Sequence, residues 1–421
     1  MVMRSRGWSR ARAISRVVMM LACGAGSAAC AALFGFERLS EEGFEGGTVN
    51  EASVEGGTDA PFEAGPQCTE IGVPARPSIT DAGADVAVQT DLYLGSNVVD
   101  FGIDPNATPV GFNLDRACSP TIATSTCTTG IDDPTFQKYG VDKNSLGVDN
   151  AGFGLLSYLG TLGSAFSPTG IRERLGDGEF GVVIRIVDWN RTPDDADVRL
   201  EVYPAFGVSK PVDAGAPLVP GGKPRFDSTD RWILDDRYQQ PLTEASKIKS
   251  ASAWVTGGRL VASFQSVTLG VSVPNDNKPL DVIIQEVLIS GLLVPSGTSF
   301  RLDQGVIGGR WRTADLLDQV RTLYVKDTAP LNKQVLCEPG FPTLVYNQVK
   351  KEVCDGRDIR GASASDSTNM PCEAVSVGIR VDTYALDQPG EFATLPAPVP
   401  GARCELDGSV PKGDNCAAAS P

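Results

Sequence analysis

The chain has 421 residues, 52 acids against 37 bases, no histidine and a formal net charge of −15. That balance argues against a basic face for nucleic-acid phosphates. The missing histidine excludes Ser-His-Asp and Cys-His nucleophile systems, a histidine proton shuttle and His-ligated zinc, copper or haem.

The opening stretch, MVMRSRGWSRARAISR, carries Arg4, Arg6, Arg10, Arg12 and Arg16 and no acid, and it runs into VVMMLACGAGSAA. A charged segment before a thirteen-residue apolar run predicts a secretory signal peptide over residues 1–29, the run being too short and glycine-rich to span a bilayer. Ser27, Ala28 and Ala29 supply the small residues for cleavage before Cys30. Cys30 then stands where a bacterial lipoprotein carries its acceptor cysteine, with Ser27 in place of the usual leucine. Lipidation of Cys30, and through it attachment to a membrane, is the expectation. Simple cleavage that leaves Cys30 unmodified is the plainer alternative.

Setting aside Cys23 and Cys30 leaves Cys68, Cys118, Cys127, Cys337, Cys354, Cys372, Cys404 and Cys416. An even set in an exported chain reads as a disulfide framework, because the periplasm is oxidising. Proximity alone pairs Cys118 with Cys127 and Cys404 with Cys416. No C-x-x-C pair occurs, so a zinc site is not indicated.

Residues 30–86 are rich in acids and glycine, and Glu45-Gly-Gly-Thr48 returns as Glu55-Gly-Gly-Thr58. Such composition buries too little surface to offset ordering entropy and predicts a disordered tether. A flexible chain of that kind between Cys30 and Cys68 would reach on the order of 35 Å.

From Ala87 the texture changes to short apolar runs broken by turn residues. Val198, Leu200 and Val202 alternate with polar neighbours, as do Val267, Leu269 and Val271, and Val375, Val377, Ile379 and Val381. Period two predicts strands with one buried face, and the unbroken runs FGVVIRIV and DVIIQEVLISGLLV predict deeper ones. Helices are predicted over ADLLDQVRTL with Thr313 as its cap, over residues 342–353 behind a proline, and within SLGVDNAGFGLLSYLGTL. The fold expected over residues 87–386 is mainly β, a single β-sandwich-like domain with a few helical insertions. Residues 387–421 read as an irregular Pro- and Gly-rich tail that carries cysteines.

Gly176-Asp-Gly178-Glu-Phe-Gly181 matches a dinucleotide-binding pattern, but it precedes a strand instead of opening a helix, so it predicts a turn. Ser246-Lys-Ile-Lys249 matches S-x-x-K without its companion motifs. On a predicted hairpin, Asp188, Asn190, Asp194, Asp195 and Asp197 gather the hard oxygen ligands that calcium takes, although acids in turns more often bond their own backbone. Asp227, Asp230, Asp235 and Asp236 form a second acidic group. No cofactor is expected, calcium being the one metal the sequence suggests. Trp189, Trp232, Trp254 and Trp311 are read first as core and second as platforms for sugar rings.

The set CAALFGFERL, GVDNAGFG, VDWNRTPDDADVRLEVY, STDRWILDD, WVTGGRLVASF, GVIGGRW, VCDGRDI and PCEAVSVGIRV resembles a family of uncharacterised exported lipoproteins from myxobacterial-type bacteria. The resemblance covers nearly the whole mature chain and implies location and architecture only. Ala31 is not the aspartate that retains many lipoproteins at the inner membrane, so the outer membrane is the expected site. The expected role is a non-enzymatic binding or structural module with a glycan or protein ligand and no nucleic acid. A carbohydrate-binding protein, with or without calcium, and a carboxylate-dependent hydrolase are the alternatives.

Overall fold

Alternating and continuous runs of Val, Ile and Leu become strands wherever two neighbours can share the burial of their faces. The computed structural model describes residues 73–78, 91–102, 110–117, 126–128, 147–162, 168–209, 220–271, 280–323, 335–338, 341–366, 370–394 and 413–416. These all fall in one compact unit, Ala64–Pro421.

The protein is mainly β with few helices. The strands are β1 (Leu92–Asp100), β2 (Gly181–Val187), β3 (Arg199–Ser209), β4 (Pro220–Gly222), β5 (Trp232–Asp235), β6 (Ile248–Lys249), β7 (Ser252–Thr256), β8 (Arg259–Val271), β9 (Leu280–Ser296), β10 (Ser299–Arg312), β11 (Ala374–Leu386) and β12 (Glu391–Ala393). The helices among the described residues are α1 (Ala151–Leu162), α2 (Pro168–Gly176), α3 (Thr313–Val320) and α4 (Phe341–Asp355). None is long and apolar enough to cross a membrane.

One sheet runs β12-β5-β3-β2-β1-β11-β10-β9-β8-β7, with β4 and β6 also paired to β3. Every pairing is antiparallel except that of β12 with β5. The two layers expected of a sandwich are parts of this single sheet, which curls until β7 at one end reaches β3 and the loop before it. Glu201 pairs with Lys249, Val198 N–H donates to Ala253 O, and Asp195 and Val255 exchange a pair of hydrogen bonds. Residues 195–202 thus seal against 248–255.

Leu94, Ile184, Leu200, Val202, Leu260, Ile289, Leu302 and Ile379 are among the fully buried core residues. Each such side chain contributes about 1.5–3 kcal/mol on burial. Outer faces are covered in part by helices: α3 on β9 and β10, α1 on β11, α2 on β1 and α4 on α3.

Several expectations are corrected. Thr313 is the first helical residue of α3, and its hydroxyl donates to Glu373 O, so it ties the helix to the sheet instead of capping it. Residues 387–421 are not irregular throughout. β12 extends the sheet, its Phe392 packs on Tyr203 with centroids 5.9 Å apart, and Asp414 accepts from Tyr346 and Lys350 of α4.

Local disulfide pairing also fails. Cys127 joins Cys372, 245 residues away, and Cys354 joins Cys416, 62 residues away. The reason is spatial: Thr128 and its neighbours pair with residues 370–372, and the Asp414 contacts carry Cys416 to the end of α4. The resulting Cα separations, 5.1 and 5.3 Å, suit a disulfide. Cys337 is also disulfide-bonded. Cys30, Cys68, Cys118 and Cys404, the signal peptide and most of the expected tether lie outside the described residues.

Candidate functional site

Three neighbouring strands build the floor of a cleft of about 730 Å³: Ser263 and Gln265 come from β8, Glu286 and Leu288 from β9, and Arg310 from β10. Ser263 stands opposite Leu288 across the ladder, so both belong to one face. The register of β9 against β10 shifts between Gly308 and Arg310, and Glu286 sits there with φ +48°. A bulge of this kind re-aims a side chain out of the regular pleat. Phe112, Asn113, Leu114 and Arg116 form one wall, and Ser363 and Val73 contribute to the others.

Arg310 holds the walls to the floor. Its side chain is 1% exposed, and its Nε pairs with Glu286 at 3.2 Å. Nη1 donates to Arg360 O and Asp366, and Nη2 to Leu114 O and Asp366, at 2.8–2.9 Å. A planar fork satisfied on every side is a structural clamp. Glu286 in turn accepts from Ser363 N–H at 2.8 Å.

Asn113 is different. Both polar atoms of its amide are buried and have no hydrogen-bond partner among the described residues. Leaving such groups unpaired costs about 1–3 kcal/mol, which a ligand bearing hydroxyl or amide groups would recover. The cleft therefore offers an amide, the Gln265 side chain, hydroxyls, the half-buried Phe112 ring and an exposed cation, Arg116. Glu286 is the one carboxylate among the described lining residues and is already engaged. A two-carboxylate hydrolytic pair is not assembled there.

The acids singled out from the sequence lie elsewhere. Asp188 faces Arg199 at 3.5 Å and Asp197 faces Arg76 at 3.6 Å. Asp195 accepts from Asn190 N–H and Asp197 N–H, Asp194 from Gly257 N–H, and Asn190 from Thr192. They shape the β2–β3 loop as turn residues do. Among the described residues no group of three or more His, Cys, Asp or Glu side chains converges as for a metal. In the second acidic group, Asp230 accepts from Arg225 N–H, Phe226 N–H and Tyr384 OH, Asp235 pairs with Arg237, Asp227 closes a turn onto Thr229, and Asp236 meets Thr394.

Trp232 and Trp311 are fully buried, and Trp189 is 5% exposed and packs edge-on against Phe300. Trp254, half-buried, gives its indole N–H to Pro74 O. Gly178 has φ +67°, and a Cβ there would lie 2.0 Å from Gly222 O, so the glycine pattern is a turn that a side chain would break. Ser246 is buried and donates to Val202 O, whereas Lys249 is exposed on β6.

Burial pushes the pKa of Asp358 up to about 7. Ser376 N–H and hydroxyl take its two oxygens, Asp115 adds like charge, and the residue is 6% exposed. It anchors the residues ahead of β11 and does not line the cleft.

Asn113 escaped detection in the sequence because a lone asparagine in a loop has no periodicity or partner motif. Glu286 left one signal, an acid inside an otherwise apolar strand. No protein-family model, curated protein or solved structure matches the chain.

Proposed function

We propose that the chain is an exported envelope protein, anchored through a lipid on Cys30, whose β body is a non-enzymatic module that binds a short glycan in the cleft. The observation that carries the reading is the Asn113 amide, buried at the wall of the cleft with neither atom paired among the described residues. The cleft's volume is of the order that small-ligand sites use, roughly 300–1,000 Å³. Amide groups and hydroxyls beside the Phe112 ring match the hydroxyls and apolar face of a sugar. The resemblance to exported lipoproteins and the signal-like leader support the location.

Calcium is not required by this reading. A screen of the full exported chain on a glycan array, with and without a chelator, tests it: binding that survives the chelator is expected. Release of reducing sugar from a bound glycan would instead support a hydrolase. No binding to any glycan would remove the proposed ligand class.

A further inference from the structure

Val73-Pro74-Ala75-Arg76-Pro77-Ser78 lies inside the segment expected to be a loose tether, yet it crosses the outside of β7 without joining a ladder. Val73, Pro74 and Pro77 are half-buried, whereas Ala75, Arg76 and Ser78 are exposed. The two prolines fix their own φ and push Val73 and Arg76 before them toward extended backbone, the region of polyproline II, which has three residues per turn and no internal hydrogen bonds.

The protein reads that conformation through the carbonyls it leaves free. Trp254 Nε1 donates to Pro74 O and Thr256 Oγ1 to Ala75 O, each at 3.1 Å. Arg76, on the exposed side, donates from Nε to Ala196 O at 2.6 Å and faces Asp197 at 3.6 Å. All four contacts run between a side chain and either a carbonyl or an opposite charge. None needs the segment to be covalently continuous with the body.

We propose that Trp254, Thr256 and the Ala196–Asp197 turn form a docking site for an extended Pro-x-x-Pro peptide with a basic residue before the second proline. Residues 73–78 occupy the site in cis. Aromatic-lined grooves take such peptides because the preformed helix loses little entropy on binding. A tethered occupant competes at an effective concentration that reaches the millimolar range for short connections. A peptide arriving in trans therefore binds well only where the cis segment is absent or weakened. The proposal does not depend on what fills the cleft.

The test uses the full exported chain with residues 73–78 replaced by glycine and serine at equal length, titrated with a fluorescent VPARPS peptide. The replaced chain is expected to bind the peptide, the parent roughly tenfold or more weakly. Trp254→Phe in the replaced chain, which keeps an aromatic ring and removes the N–H, is expected to weaken binding. The same titration with the peptide's arginine changed to alanine should also weaken it. No binding to a replaced chain that melts like the parent, or binding indifferent to Trp254→Phe, would overturn the proposal. Should the replacement unfold, Arg76→Ala in the otherwise intact chain is expected to raise peptide binding over the parent, and equal binding would overturn the proposal.

Discussion

Trp232 gives its indole N–H to the hydroxyl of Tyr384 at 2.9 Å, and that hydroxyl in turn donates to Asp230 at 2.7 Å. The relay joins β5 to β11 across the body, and Asp230 fixes the turn before β5 through two backbone N–H groups. Tyr384→Phe breaks both bonds and leaves the buried Trp232 N–H unpaired, at an expected cost of about 1–3 kcal/mol. Urea denaturation should show a lower midpoint with an unchanged slope.

The tyrosine hydroxyls also set a behaviour at high pH. Burial raises the pKa of Tyr93, Tyr203, Tyr238, Tyr346 and Tyr384. In the unfolded chain they ionise near pH ~10, so above that pH the native state holds more protons. Stability is then lost as pH rises. Thermal melts should fall from about pH 10 upward, and Tyr384→Phe should reduce that fall.

Asp358 gives the same sign in a lower window. Its pKa is pushed up to about 7 by burial, against about 3.9 in an unfolded chain. The contribution is fully present below the unfolded value and is lost as pH rises through about 7. Asp358→Asn keeps an acceptor for Ser376 and removes the titration. Its stability should vary less than the parent's between about pH 4 and pH 7, as read from melts across that range.

The steric partner of Trp232 is glycine. A Cβ on Gly181 would lie 2.0 Å from the Trp232 ring, and one on Gly95 would lie 2.7 Å from its indole nitrogen. Gly181→Ala therefore forces the ring or β2 to move, at a cost of about 1–3 kcal/mol or more. Its melting temperature should drop further than that of Gly176→Ala, where nothing lies within 4 Å of the added carbon.

The long-range disulfides predict a specific peptide map. Non-reducing digestion should yield Cys127 linked to Cys372 and Cys354 linked to Cys416. Cys416→Ser opens a loop of 62 residues, which the chain-entropy model values at about 4 kcal/mol. Recovery of Cys118 with Cys127 or Cys404 with Cys416 would contradict the map.

Side-chain periodicity made the central strands legible. Val375 to Val381 became the core face of β11, and DVIIQEVLISGLLV became most of the seventeen-residue β9. Closure of the sheet was not legible, because residues 195–202 and 248–255 meet through backbone groups that any side chain would carry. The tail strand β12 is three residues long and owes its place to β5, not to its own pattern. Cysteine spacing misled for the same reason: chain distance says nothing about which elements the fold brings together. The acids of the β2–β3 loop were conspicuous in sequence, yet most bond their own loop's backbone or an arginine.

The glycan-cleft reading rests on an amide that has no partner among the described residues, and Asn113→Ala tests this most directly. Two quantities should be measured on the same preparation, the melting temperature of the free protein and the affinity for a glycan taken from the array. The account predicts a free protein at least as stable as the parent, since an unpaired buried amide is removed, and binding weakened by roughly tenfold. Unchanged glycan affinity, or a free protein destabilised by more than about 1 kcal/mol, would contradict it.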